Sequence, residues 1–224
     1  MRRETLDSTP HDSPLTITIH KPRFLKAIFF FLVLFTITTS HAQGDWEVTA
    51  VRNANPQNPN SPFWKGISNS AKPLAAGIPL GMLVVGWIDH NKNLQYNSYE
   101  ALGGLAITAI ATESLKRIIN RPRPYFTHNE IYPDEWDDSP SMPSGHTSSV
   151  FSTATSLTLT SKKWYIAVPA FTWAGLVGYS RMYMGQHYPS DLMLGAVVGA
   201  GGAIASHYLR KALFSPKKHK PIQP

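Results

Sequence analysis

Three short polar clusters contain most of the residue types that could perform chemistry in this chain. The first runs from Lys116 to Pro124, the second is Pro143-Ser144-Gly145-His146, and the third runs from Ser180 to Asp191. Each cluster lies beside an apolar segment, so a fold that brings the segment ends together would join them. Between them they supply cations, two histidines and a carboxylate, which can bind an anion and move a proton.

The turn at Pro143–His146 is predicted to begin a helix. Ser144 and Gly145 stand at the entry to an apolar segment, where backbone N–H groups and the helix dipole attract an anion and glycine permits close approach. Three cations from different segments would surround this turn: Lys116, Arg123 and Arg181. The combination indicates a bound phosphate.

His187 and Asp191 are four residues apart, with Pro189 between them. If a helix begins near Ser190, Asp191 in its first turn can hold one ring nitrogen of His187 and leave the other as a nucleophile or base. His146 would supply the proton that a leaving alkoxide needs. Two histidines, each inside a polar cluster, favour catalytic over structural roles.

Five apolar segments must position these clusters: residues 73–88, 99–119, 146–160, 164–179 and 192–209. They predict an all-α fold, a helical bundle with five transmembrane helices after an N-terminal signal peptide or anchor. Each segment is at or below the roughly 20 residues that cross a bilayer, so a soluble helical core is the alternative. Small residues at four-residue spacing, Gly77 with Gly81 and Gly195 with Gly199, favour close helix packing in lipid.

The ends of the chain carry its net charge of +7. Residues 1–42 hold five Lys or Arg against three Asp or Glu, and the tail from Arg210 holds five Lys or Arg and no acid. Basic residues beside apolar segments indicate membrane orientation rather than nucleic-acid binding. With no cysteine, disulfides and thiolate metal sites are excluded.

The N-terminal region resembles a secretory signal. A basic stretch precedes the apolar run from Ala27, and Ser40-His41-Ala42 offers a cleavage site after Ala42; an uncleaved anchor is the alternative. Residues 43–70 then form an extracytoplasmic lead-in with a short helix near Trp64. The helical domain spans residues 71–209, and residues 210–224 form a basic cytoplasmic tail. Threaded through five spans, all three polar clusters fall on the outer, periplasmic side.

The three clusters together resemble the signature of the type 2 phosphatidic acid phosphatase and vanadium haloperoxidase superfamily. The signature requires a Lys, six residues and Arg-Pro, then Pro-Ser-Gly-His, then Ser-Arg, five residues, His, three residues and Asp. This sequence satisfies it at Lys116 with Arg123-Pro124, at Pro143–His146, and at Ser180-Arg181 with His187 and Asp191. The resemblance covers roughly residues 70–210.

The resemblance implies roles for these residues. His187 would attack phosphorus and become a phosphohistidine, Asp191 would orient it, and His146 would protonate the leaving group. Five groups would hold the phosphoryl oxygens: Lys116, Arg123, Ser144, Gly145 and Arg181. No metal or cofactor is implied, and vanadate is expected to bind as a phosphate mimic.

The expected activity is a membrane phosphatase acting on a lipid-linked phosphomonoester or diphosphate. The alternatives are a soluble periplasmic acid phosphatase of broad specificity, a vanadium-dependent haloperoxidase and a catalytically silent membrane protein. Two further acidic patterns are interpreted as structural. Asp89–Glu100 has calcium-loop spacing but Leu94 where glycine is needed, so it is interpreted as a polar turn between two helices. Asp134–Asp138 could bind a divalent ion or exclude some substrates, but it is interpreted as a solvated loop. Tyr125 and Phe126 could line a substrate groove or pack in the core.

Overall fold

The computed structural model describes residues 45–214 of the chain. The predicted signal peptide or anchor and most of the predicted basic tail lie outside the described residues. Residues 45–214 form seven helices and no strand, which confirms the all-α prediction for this part of the chain. The helices are α1 (Asp45–Ala54), α2 (Pro62–Ile88), α3 (Lys92–Ile119), α4 (Pro124–Thr127), α5 (Gly145–Ser161), α6 (Trp164–Tyr183) and α7 (Pro189–Phe214).

Each of the five apolar segments forms a helix, and the largest difference from prediction is at the start of α2. This helix begins at Pro62, so Trp64 lies in its first turn and the predicted boundary at residue 70 falls inside it. Proline at the first helical position costs no intrahelical hydrogen bond. Pro73 and Pro79 are accommodated further along, although each removes one backbone donor.

Short turns join the long helices at one end of the bundle. Between α2 and α3, the Asn91 side chain caps α3 by accepting a hydrogen bond from the Leu94 N–H at 3.1 Å. Between α5 and α6, Lys162 adopts a left-handed conformation with φ of 55°. The segments that carry the polar clusters, residues 120–144 and 184–188, connect helices at the opposite end.

The turn that begins at Asp89 is a helix connection, as predicted. Glu100, the last position of the calcium-loop pattern, lies in α3 with its side chain fully buried. Its carboxylate accepts from His207 Nδ1 at 2.7 Å and from Arg210 of α7. This carboxylate therefore links α3 to α7 and makes no contact within the turn that begins at Asp89.

Helix α7 packs against α5 and α3. A Cβ atom at Gly195 would lie 2.9 Å from the Ser144 carbonyl oxygen, and one at Gly199 would collide with the Ser148 backbone. This glycine pair therefore permits close packing, as its spacing predicts. The prediction was wrong for Gly77 and Gly81, where a Cβ would meet no neighbouring element within 4 Å, because the buried face of α2 runs along Ala71 and Ala75 instead.

Two apolar clusters hold the helices around the site. One joins α2, α5 and α6 through Ala71, Val150, Ala154, Ala174 and Val177. The other joins α1 to α4, to the loop after α4 and to the residue that precedes α7, through Val48, Val51, Tyr125, Ile131 and Tyr188. Tyr125 thus belongs to a core, whereas Phe126 remains 49% exposed.

Two of the described helices, α2 and α7, are long and apolar enough to cross a membrane by length and composition. Only 28% of the most apolar window of α2 and 39% of that of α7 is buried inside the protein. Helices of a soluble core would be mostly covered by their neighbours. Five transmembrane helices remain a prediction.

Candidate active site

Backbone and side-chain hydrogen bonds bring the three polar clusters together at one end of the bundle. The Ser144 N–H donates to the Asp191 carbonyl at 3.0 Å, which joins the second cluster to the third. Arg123 Nη1 donates to Gln186 Oε1 at 2.7 Å, which joins the first cluster to the third. Residues far apart in the sequence therefore share one site.

Ser144 caps the N-terminus of α5, where the sequence predicts a helix start. Its hydroxyl oxygen accepts from the Thr147 N–H at 3.4 Å and from Thr147 Oγ1 at 3.0 Å. A hydroxyl has two acceptor positions and one donor, so the Ser144 O–H remains available to an anion. Gly145 and His146 follow as the first residues of the helix. His146 is half-buried and lies within electrostatic range of His187 and Arg181.

His187 and Asp191 face each other across the start of α7. The helix begins at Pro189, one residue from the expected position, and His187 Nδ1 lies 3.5 Å from Asp191 Oδ2. This distance is longer than a good hydrogen bond. The same carboxylate oxygen accepts from the Tyr188 N–H at 2.9 Å. His187 Nδ1 therefore faces the carboxylate but is buried without a hydrogen-bond partner.

The environment of His187 keeps its imidazole neutral. The side chain is only 3% exposed, and burial lowers its pKa well below the usual 6.5. The positive charges of Arg181, Arg123 and Lys116 lower the pKa further. A neutral imidazole retains the lone pair that a nucleophile requires.

Removing one of these cations is expected to raise the pKa of His187. In Arg181→Gln the imidazolium form no longer faces that positive charge, so protonation becomes easier. NMR titration of ring-labelled histidine in detergent micelles would follow the His187 resonance, assigned by its loss in His187→Gln. Equal His187 pKa values in wild type and Arg181→Gln would contradict this electrostatic picture.

Arg181 has an unfilled donor at the site. Its Nη1 donates to Ser68 Oγ of α2 at 2.8 Å, but its buried Nε has no hydrogen-bond partner. Buried donors in proteins are nearly always paired, so an unpaired guanidinium N–H marks a place for an acceptor. An anionic oxygen would supply one.

Arg123 is saturated by protein groups. Its Nε donates to the Ser139 carbonyl at 2.9 Å, and its Nη2 donates to Ser139 Oγ at 2.8 Å and to the Asp137 carboxylate. With Gln186 on Nη1, each nitrogen of the guanidinium is engaged. A phosphate could contact Arg123 only by joining or displacing these acceptors.

Most of the acidic loop at Asp134–Asp138 is exposed, as predicted, but two of its carboxylates contact the site. Asp134 accepts from Gln186 Nε2 at 2.8 Å, while Asp137 pairs with Arg123. Partial burial raises the pKa of Asp137, but hydrogen bonds from Ser139 and the charge of Arg123 outweigh it and hold the pKa below its usual value. The loop therefore brings a negative charge to a predicted phosphate ligand.

Lys116 lies near the C-terminal end of α3, and its ammonium donates to the Pro140 carbonyl of the same loop. An ammonium has three donors, so two remain after this contact. Next to Lys116 and Gly145 is a cavity of about 390 Å³ between α2, α3 and α5. Much of its lining is apolar, from Ala75, Ala76, Leu105 and Ala109.

Gly185 makes the turn that directs the chain from Arg181 to His187. Its φ is +69°, and a Cβ would lie 2.7 Å from the Tyr132 carbonyl and 3.0 Å from Ile131 Cγ2. Gly185→Ala is expected to lower the free energy of unfolding by roughly 1–3 kcal/mol, because of backbone strain and this clash. Thermal unfolding in detergent would measure it, with Gly175→Ala in open space on α6 as the control. An equal loss of unfolding free energy in Gly185→Ala and Gly175→Ala would contradict the requirement for glycine in this turn.

Two residues at the site were missed by sequence reasoning: Arg121 and Glu47. Arg121 Nη1 donates to Asp191 Oδ1 at 2.9 Å, and its Nη2 donates to Glu47 Oε2 at 2.8 Å. The doubled Arg-Pro at residues 121–124 is a signal for Arg121 that the prediction did not use. Glu47 lies in α1, outside every motif, and nothing in its sequence context indicates its position.

Comparison with known proteins gives a family and a fold. The sequence model of the PAP2 superfamily matches residues 99–215, more than half of the chain. The chain is 32% identical over 72 residues to a lipid A 4'-phosphatase from Bacteroides thetaiotaomicron, covering 32% of each chain. It is 36% identical over 97 residues to an undecaprenyl-diphosphatase from Sulfolobus acidocaldarius, covering 42% of this chain and 46% of that one.

This chain therefore spans about a third to a half of the length of these two relatives. Its fold is similar to the crystal structure of a transmembrane PAP2 type phosphatidylglycerolphosphate phosphatase from Bacillus subtilis. The TM-score is 0.65 at 23% identity, over 85% of this chain and 97% of that one. The family match, the three motifs and the shared fold agree, and the chain belongs to the PAP2 superfamily.

Proposed function

We propose that this protein is a membrane phosphatase that hydrolyses a lipid-linked phosphomonoester or diphosphate through a phosphohistidine at His187. The observation that carries the proposal is the meeting of a neutral, buried His187 with three cations and the N-terminus of α5 at one end of the bundle. Positive charge around a neutral imidazole suits nucleophilic attack on an anionic phosphoryl group.

The reaction proceeds in two displacements. His187 Nε2 attacks phosphorus, an N–P bond forms, the ester or anhydride O–P bond breaks, and His146 gives a proton to the leaving oxygen. Asp191 faces Nδ1 and balances the positive charge that develops on the ring. A water then attacks phosphorus while His146 takes its proton, and breaking of the N–P bond releases phosphate and restores His187.

The phosphoryl oxygens would be held by Lys116, Arg123, Ser144, Gly145 and Arg181. Two observations support Arg181 and Ser144 as members of this set: the buried Arg181 Nε has no partner, and the acceptors of Ser144 Oγ are used while its donor is not. Donors fixed in advance stabilise the charge that grows in the transition state, at several kcal/mol in favourable cases. The proposed steps need no metal and no cofactor, and vanadate would occupy the same place as phosphate.

A membrane location is supported by the apolar surface of the bundle. Large apolar side chains are exposed on several helices, including Val84, Val85 and Ile88 of α2, Val168 of α6 and Val197 of α7. Such surface is unusual on a soluble monomer and typical of a lipid-facing one. The exposed Lys163 lies at the end of the bundle opposite the site. Under the positive-inside rule the site then faces the periplasm.

The substrate class follows from the cavity and from the relatives. A largely apolar cavity beside Lys116 and Gly145 suits a phosphate whose hydrocarbon tail remains in the bilayer. The relatives are named for lipid A and for undecaprenyl diphosphate. We infer a lipid phosphate for this chain, with lipid A, undecaprenyl diphosphate, phosphatidic acid and phosphatidylglycerophosphate as the candidates.

A phosphate-release panel tests the proposal. The purified full chain in detergent micelles would be given the four lipid phosphates and, in parallel, soluble phosphomonoesters and inorganic diphosphate. We expect release from at least one lipid phosphate, inhibition by orthovanadate and no loss with EDTA. If phosphate is released only from soluble esters, at the same rate with and without detergent, the alternative of a periplasmic acid phosphatase would be favoured. If EDTA abolishes phosphate release, the mechanism would require a metal.

A further inference from the structure

We propose that Arg121 and Glu47 are positioning residues for the reaction: Glu47 holds Arg121, and Arg121 holds the Asp191 carboxylate that faces His187. The inference rests on the proposed function, since it concerns how the nucleophile is held. Arg121 lies at an unspecified position of the first motif, and Glu47 lies outside every motif and outside the family match at residues 99–215.

Arg121 occupies a fixed position beside Asp191. Its Nη1 donates to Asp191 Oδ1 at 2.9 Å and to Ser190 Oγ at 2.7 Å, in the first turn of α7. Its guanidinium carbon lies 4.0 Å from the centre of the Tyr188 ring. The side chain is 13% exposed and that of Asp191 is fully buried, so the pair is shielded from water.

Glu47 completes this arrangement from α1. One carboxylate oxygen accepts from Arg121 Nη2 at 2.8 Å, and the other accepts from the Ser190 N–H at 3.0 Å. The same side chain therefore holds the arginine and caps the N-terminus of α7, where a negative charge is favourable. The Glu47 side chain is 3% exposed, although glutamate is rarely buried without a partner.

The arrangement determines which carboxylate oxygen reaches the nucleophile. Arg121 binds Asp191 Oδ1, so Oδ2 is left to the Tyr188 N–H and to His187 Nδ1 at 3.5 Å. Without Arg121 the buried carboxylate would lose its counter-charge, which is costly, and Oδ1 would no longer be held, so the carboxylate could rotate about its remaining hydrogen bond from the Tyr188 N–H. Partners of this kind orient catalytic groups from outside the reacting atoms, and at metal sites their loss typically costs 10–100-fold.

A second ion pair of α1 provides a matched control. Arg52 pairs with Glu130 of the loop after α4, and both side chains are about half exposed. This pair also anchors α1, but it touches neither Asp191 nor His187. Glu130→Gln therefore removes an ion pair of α1 without changing the contacts of Asp191, whereas Glu47→Gln also weakens the hold on Arg121.

The test measures kcat and KM for phosphate release by the full chain in micelles. Glu47→Gln is nearly isosteric and should fold, and we expect it to lower kcat about 10-fold. Arg121→Gln should lower kcat about 10–100-fold. In both variants KM should change less than about threefold. Arg121→Lys should recover part of the loss because the charge remains. Glu130→Gln should keep the wild-type kcat.

Double variants separate positioning from folding. If Arg121 acts through Asp191, then Arg121→Gln should lower kcat less than about threefold when Asp191→Asn is already present, because the group it positions is gone. Three results would overturn the proposal. Arg121→Gln could cause its full loss of kcat in the Asp191→Asn background, or Glu130→Gln could lose as much kcat as Glu47→Gln. Glu47→Gln and Arg121→Gln could also both keep the wild-type kcat. Equal activity of wild type and His187→Ala would instead overturn the proposed function itself.

Discussion

His187→Ala is expected to abolish phosphate release, with a loss of at least about 10⁴-fold in kcat, as removal of a catalytic nucleophile typically causes. Alanine leaves no atom that can form the N–P bond. Initial rates of phosphate release from the best lipid substrate, with enzyme in micelles, would measure the loss.

The nucleophile assignment has a second, direct readout. Radiolabelled substrate mixed with wild type and quenched in alkali should leave label on the protein, because phosphohistidine survives base and is lost in acid. His187→Ala should carry no label. His128→Ala is the matched control: this histidine lies 4.0 Å from Glu130 in the loop beside the site and should retain activity and label. Retained activity in His187→Ala, with its membrane fraction and unfolding temperature unchanged, would rule out this nucleophile.

The second large effect is expected from His146→Gln and depends on the leaving group. A lipid alkoxide needs a proton as the O–P bond breaks, so kcat for a phosphomonoester lipid should fall by about 10²–10⁴-fold. With p-nitrophenyl phosphate, whose leaving group departs without a proton, the first step should be nearly normal. Release of phosphate from the histidine should then become limiting, because in the proposed mechanism His146 also activates the water.

Rapid mixing distinguishes this role from simple binding. His146→Gln with p-nitrophenyl phosphate should show a burst of nitrophenol close to one equivalent of enzyme, followed by slow turnover. Wild type should show a smaller burst or none. An equal loss of rate with both substrates, without a burst, would mean that His146 acts on binding or folding and not on proton transfer.

Local sequence was sufficient to predict the helices and to propose most of the residues of the candidate site. The apolar segments are long and uninterrupted enough to indicate five helices, and each is present with ends extended by up to eleven residues. The short turns at Asp89–Asn91 and Lys162–Lys163 make neighbouring helices antiparallel, so the longer polar segments meet at one end. Ser144 caps α5 because a serine at a helix entry can accept from the first turn.

Other features depend on which faces of the helices meet, which spacing alone does not determine. Gly77–Gly81 and Gly195–Gly199 have the same four-residue spacing, but only the second pair lies in a tight contact, because α7 presents it to α5. Likewise, the charge of Asp137 gives no indication that it would pair with Arg123. Both cases require the positions of elements that are distant along the chain.

The sequence by itself determined the helical class, the family and the residues offered for phosphate chemistry, because these depend on local periodicity and on motifs of fixed spacing. Only the tertiary structure decided how those residues are held. It saturates Arg123 with the acidic loop, leaves Arg181 Nε unpaired and joins Glu47 of α1 to Asp191 through Arg121. Buried charges must find partners wherever the chain brings them, and partners separated by 74 and 70 residues leave no local pattern.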